Sequence, residues 1–151
     1  MNKLNTLLDQ LLAKVAHFDV ENQQISQGKI GWHIEHSLLV ISGITKVLAM
    51  SNPSEYKSKF NVAKFVVMTF NFIPRGRGKA PQTTQPKSEV TPENLSVHIA
   101  KTREKIKELD TMNGDLFFKH PMFGDLKLKE AVRFLEIHTK HHLKIINDIQ
   151  G

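Results

Sequence analysis

The chain has no cysteine. Disulfides, thiolate metal sites and a cysteine nucleophile are therefore excluded. A single Trp and a single Tyr leave few platforms on which bases could stack. No apolar run is long enough to cross a bilayer. The opening stretch, "MNKLNTLLDQLLAKV", mixes charge into its apolar pattern and lacks the uniform core and small-residue cleavage site of a secretory signal. A reducing, cytoplasmic setting is the expectation. No internal repeat is present.

What is there is a chain of 151 residues, enough for one domain with one core, here expected over residues 1–151. Hydrophobic residues make up 40%, which sets the chain apart from disordered sequences. Lys and Arg outnumber Asp and Glu by 21 to 15, a net charge of +6. That excess favours anions in general. Lys101, Lys105, Lys127, Lys140 and Lys144 fall at helix positions expected to face water, so solvated surface lysines explain it better than a nucleic-acid stripe.

Apolar residues recur at helical spacing in four long segments. The first runs through Leu4, Leu8, Leu11, Val15 and Phe18. The second, Ile30 to Met50, is apolar on most sides and is expected to be the most buried. The third opens with "TPENL", where Thr91 suits an N-cap, Pro92 the first helical position and Glu93 the positive end of the dipole. Its seam is Leu95, Ile99, Thr102, Ile106 and Leu109. The fourth carries Leu128, Ala131, Leu135, His138, His142, Ile145 and Ile149, alternating steps of three and four as in a helix packed in a left-handed bundle.

These segments predict an all-α, up-down four-helix bundle with helices near 2–20, 28–50, 92–111 and 127–149. "KFVVMTFNFI" has strand-like composition but no evident partner strand, so it is read as part of an extra short helix near 58–72. The stretch "PRGRGKAPQTTQPKSEV", from Pro74 to Val90, is a long basic loop between the second and third main helices. Its composition and length predict a mobile segment that orders on an anionic ligand or at a subunit contact. Arg75 and Arg77, with glycines beside them, are candidate ligand clamps, since guanidinium groups grip carboxylates and phosphates.

The chemistry concentrates in the histidines. In "EIHTKHHLKII", His138 and His142 occupy successive seam positions one turn apart, so both imidazoles can reach one ion. His141 lies off that seam. "GWHIEHSLLVI" adds His33 and His36, three apart on a face continued by Val40, Ile44 and Val47, and so expected to point inward. Buried neutral imidazoles need partners, and a metal between the two helices would supply them. Isolated core histidines are the bland alternative.

The "HIEHS" segment and "HTKHHLKI" resemble the metal-binding motifs of the DinB-like superfamily. These four-helix proteins include thiol-dependent transferases and isomerases. "HPMFGDLKLKEAVRF", His120 to Phe134, is similar to the approach to the last helix in one uncharacterised branch. The resemblance spans most of the chain through helix order; its sharp motifs cover a minor part. It implies a divalent metal on His33, His138 and His142, with His36 in a supporting position where the family often has an acidic or polar residue. Two features depart from the pattern: Ile145 stands where a Gln or His is common, and Trp32 directly precedes His33.

A three-His site suits zinc or nickel and leaves a coordination position open, as catalytic sites do. The resemblance implies transfer or isomerisation with a low-molecular-weight thiol cofactor. A non-catalytic metal-binding bundle, acting in a stress response or as a partner-binding scaffold, is the alternative. No Ser-His-Asp arrangement is legible. The expected partners are a small-molecule ligand and a second copy of the chain, with no nucleic acid and no membrane.

Overall fold

The computed structural model describes residues 2–76, 81–87 and 89–151. It is mostly helical, with five α-helices and one small antiparallel hairpin. The helices are α1 (Asn2–Leu12), α2 (Ile30–Met50), α3 (Val62–Phe70), α4 (Pro92–Thr111) and α5 (Leu128–Gln150). The hairpin strands are β1 (Phe117–His120) and β2 (Gly124–Lys127). No helix of the described residues is long and apolar enough to cross a membrane.

One hydrophobic core joins α1, α2, α4 and α5. Leu4, Leu8 and Leu11 of α1 meet Leu95, Ile99, Ile106 and Leu109 of α4, all essentially excluded from water. Ile34, Leu38, Ile41 and Leu48 run along the buried side of α2. Ala131, Leu135, His142, Ile145 and Ile149 of α5 are buried as their spacing predicts, while Leu128 and His138 are half-buried. The inward face expected on α2 holds through Val40 and Ile44, but Val47 is exposed, while its neighbour Leu48 is fully buried.

Local signals set the helix ends. The Thr91 hydroxyl accepts from the Asn94 N–H at 3.2 Å, and Pro92 follows it, so α4 starts where the cap predicts. Asn61 caps α3 by accepting from the Lys64 N–H at 2.8 Å. Asn71 ends α3 in the left-handed region, which Asn tolerates better than most residues. The first helix is shorter than expected. It stops at Leu12, and the chain tightens into a 3₁₀ turn at Val15–His17 before crossing to α2. Gly31 permits that crossing. Its N–H donates to the Phe18 carbonyl at 2.7 Å, and a Cβ there would stand 2.9 Å from Val90 Cγ1 and 3.0 Å from that carbonyl.

The hairpin corrects the all-α expectation. Phe117 pairs with Lys127 and His120 with Gly124, across a three-residue turn. Gly124 has φ 73°, the left-handed conformation such a loop requires. The His120 Nδ1 accepts from the N–H groups of Met122 and Phe123 at 3.1 and 3.2 Å, closing the turn. Leu126 and Phe123 bury the inner side of the hairpin against the core.

The candidate metal centre

α2 and α5 face each other, and their histidines meet between them. His36, His138 and His142 each offer one ring nitrogen, and these three nitrogens lie within 4.8 Å of one another. They are placed to hold a metal ion. Bonds of about 2.0–2.1 Å in a tetrahedral site set ligand nitrogens about 3.3 Å apart, so side-chain rotation of modest extent closes the shell.

The neighbours of these rings decide which nitrogens are free. The His36 Nδ1–H donates to the Thr84 carbonyl at 2.7 Å, leaving the Nε2 lone pair open. The Nδ1 atoms of His33 and His142 are 2.9 Å apart, so one carries the proton between them. His33 Nε2 lies 2.9 Å from Ser26 Oγ, which also accepts from the Gly28 N–H at 3.2 Å. If His33 Nε2–H donates to Ser26, its Nδ1 accepts from His142 Nδ1–H, and the His142 Nε2 lone pair is freed. Both His33 nitrogens are then engaged. His138 is the odd member: its Nδ1 is sealed from solvent and has no hydrogen-bond partner. Leaving such a group unmatched costs about 1–3 kcal/mol. A metal bound through that nitrogen would supply the missing partner.

Burial keeps the rings neutral. Loss of water pushes His138 and His142 well below the ordinary imidazole range, with mutual repulsion among the histidines adding to it. His33 is pushed down to about 4, first by burial and then by His36 and His141. Burial also lowers His36, against the opposing Thr84 hydrogen bond. Neutral imidazoles are the metal-binding form, so no proton need be displaced at neutral pH.

Aromatic rings wall the cluster. Trp32 stacks on His36, with ring centres 5.0 Å apart and planes within 10°. On the far side, Phe134 lies 5.6 Å from His138 and 4.7 Å from His120, so the hairpin's histidine reaches the edge of the site through one phenylalanine. Beside the cluster, Glu35 of α2 meets His98 of α4 at 2.9 Å.

Of the residues expected from sequence, His138 and His142 are brought together as anticipated. The α2 member of the group is His36, while His33 stands behind His142 and hydrogen-bonds to it. His141 packs edge-on against His142, its ring 5.2 Å away, and stays outside the group. Arg75 pairs with Asp148 of α5, so its guanidinium is already engaged rather than open to a ligand. It is near enough for its charge to lower His33 and His141. Arg77 lies outside the described residues. The loop expected to be mobile touches down on the helices at Arg75, Thr84 and Val90. Sequence reasoning missed Thr84, Ser26 and Trp32 as supports. Only Trp32 carried a local signal, its place one turn before His36.

No family model, curated protein or solved structure matches the chain.

Proposed function

We propose that the chain is a metal-dependent protein of the DinB-like kind, with α1, α2, α4 and α5 forming an up-down four-helix bundle around a divalent metal on His36, His138 and His142. The observation that carries the reading is the hydrogen-bond arrangement behind the rings. Thr84 accepts from His36 and leaves its Nε2 lone pair free, and with Ser26 as acceptor the Ser26–His33–His142 chain leaves the Nε2 lone pair of His142 free as well. An isolated core histidine requires no such set of converging acceptors.

A zinc or nickel ion so held would act as a Lewis acid toward a bound water or thiol. The protein's own share is positioning and exclusion of water. Trp32 and Phe134 shield the imidazoles, and burial holds them unprotonated. Arg75, tied to Asp148, contributes only its charge, which helps to keep His33 and His141 unprotonated. The reaction class that fits is transfer or isomerisation with a low-molecular-weight thiol, and a non-catalytic metal scaffold shares the same site.

The test begins with protein purified without added metal, stripped with chelator and titrated with Zn²⁺ and Ni²⁺ at pH 7.5. One equivalent is expected. His36→Ala, His138→Ala and His142→Ala should each abolish stoichiometric binding, and His141→Ala should retain it. His33→Ala should weaken binding by about 10–100-fold, the usual cost of losing a group that orients a ligand. If His33→Ala abolishes binding and His36→Ala does not, His33 is the ligand. Wild-type protein that takes up neither ion removes the metal reading and the enzyme with it. Turnover of an electrophile with a thiol separates enzyme from scaffold.

A further inference from the structure

α3 is apolar on both sides. On its inner side Val67 joins the core and Met68 packs against it, with polar contacts beside them. Lys64 pairs with Glu130 of α5 at 3.0 Å, and the Arg133 guanidinium donates to the Met68 carbonyl at 2.7 Å and to Asn71 Oδ1 at 3.3 Å. Val67 alone is buried. The outer side carries Val62, Phe65, Val66, Thr69 and Phe70, at steps of three and one. That spacing is the one by which a helix presents an apolar stripe to a partner helix. Here the stripe faces water: Phe65 is 57% exposed and Phe70 is 70% exposed. No charged residue interrupts it.

The patch continues past the helix. Phe60 is 82% exposed, and its ring lies 6.2 Å from that of Phe65. Asn61 binds the Met122 carbonyl at 2.9 Å, which brings the exposed Met122 to the same edge. Phe72 follows the C-terminal end of the stripe and is exposed too. At about 200 Å² for a whole ring, the four phenylalanines leave about 500 Å² of apolar surface in water. Val62, Val66 and Met122 raise the patch toward ~800 Å². That exceeds the few hundred Å² a monomer ordinarily exposes. It matches what each partner contributes to a standard protein interface.

We infer that the outer face of α3 is a self-association surface, on which a second copy of this chain packs about a two-fold axis. A two-fold contact uses the same patch on both copies, and this patch is apolar along its length. With no charge on the stripe, two identical faces meet without like-charge repulsion. An anionic lipid surface fits less well. A helix lying on lipid carries basic groups along its polar side. α3 has one basic side chain, Lys64, and it is held by Glu130. The free lysines Lys57 and Lys59 stand at one end only.

Sedimentation equilibrium of the full chain from 1 to 100 μM tests the assignment. The expected species is a dimer, at twice the 17.2 kDa chain mass. The double variant Phe65→Glu/Phe70→Glu should be monomeric, with dissociation at least 100-fold easier and far-ultraviolet circular dichroism unchanged. Val97→Glu, at an exposed apolar position on α4, should remain dimeric. Wild-type protein that is monomeric at 100 μM overturns the inference, as does a double variant that dimerises like wild type or a Val97→Glu protein that does not dimerise. Flotation of a monomeric wild-type chain with phosphatidylcholine–phosphatidylserine vesicles would assign the face to lipid instead.

Discussion

Acid should destabilise the metal-free protein well before its carboxylates titrate. The perturbation is a drop from pH 7 to pH 5. An unfolded chain takes up a proton on each imidazole as pH falls through about 6.5. The folded chain refuses it at His33, whose ring is held down at about 4 by burial and by its histidine neighbours. Protons therefore favour the unfolded state in the window between these two values, and stability falls as pH falls. For His33 alone the loss between pH 7 and pH 5 is about 2 kcal/mol. His36, His138 and His142 are lowered in the same direction and add to it. A domain of ordinary stability has about 5–15 kcal/mol in total, so the effect is a large share. Urea denaturation of chelator-treated protein, followed at 222 nm, measures it. The His33 contribution alone moves the midpoint by about 1 M. A midpoint that is the same at pH 5 and pH 7 would refute the claim that these imidazoles are buried and neutral.

Two further expectations concern the scaffold. Gly31→Ala places a methyl group against Val90 and the Phe18 carbonyl, so thermal denaturation should show a loss of about 1–3 kcal/mol, and a neutral result would mean that the crossing before α2 yields easily. Leu38→Ala empties a fully buried position on α2 and should cost about 2–5 kcal/mol in the same assay, a smaller loss implying that the core collapses around it.

The long helices were legible because their signals are local and periodic. The seam of α4 could be read from Leu95 to Leu109, and its start from Thr91 and Pro92, since a cap and a 3.6-residue repeat act over a few neighbouring residues. The same held for His138 and His142, whose relation is set by one turn of one helix. The hairpin was not legible. Its strands are four residues each, too short for a period, and its turn is closed by the His120 side chain rather than by residue preference alone. α3 was recognised as helical, but its apolar stripe gave no hint that the stripe would face water.

The choice between His33 and His36 shows where sequence ends. Both lie on the inward face of α2, three residues apart, and no local rule separates them. The separation came from contacts distant in the chain. The carbonyl of Thr84, 48 residues after His36, accepts a hydrogen bond from its ring, while His142, 109 residues after His33, hydrogen-bonds to the ring of His33. Periodicity determined that four imidazoles would stand on two apolar helix faces. The rotation of α2 against α5, and the path of the loop that carries Thr84, decided which of them could share an ion. A helix's own spacing sets which side chains share a face, but only packing against the rest of the chain sets what that face meets.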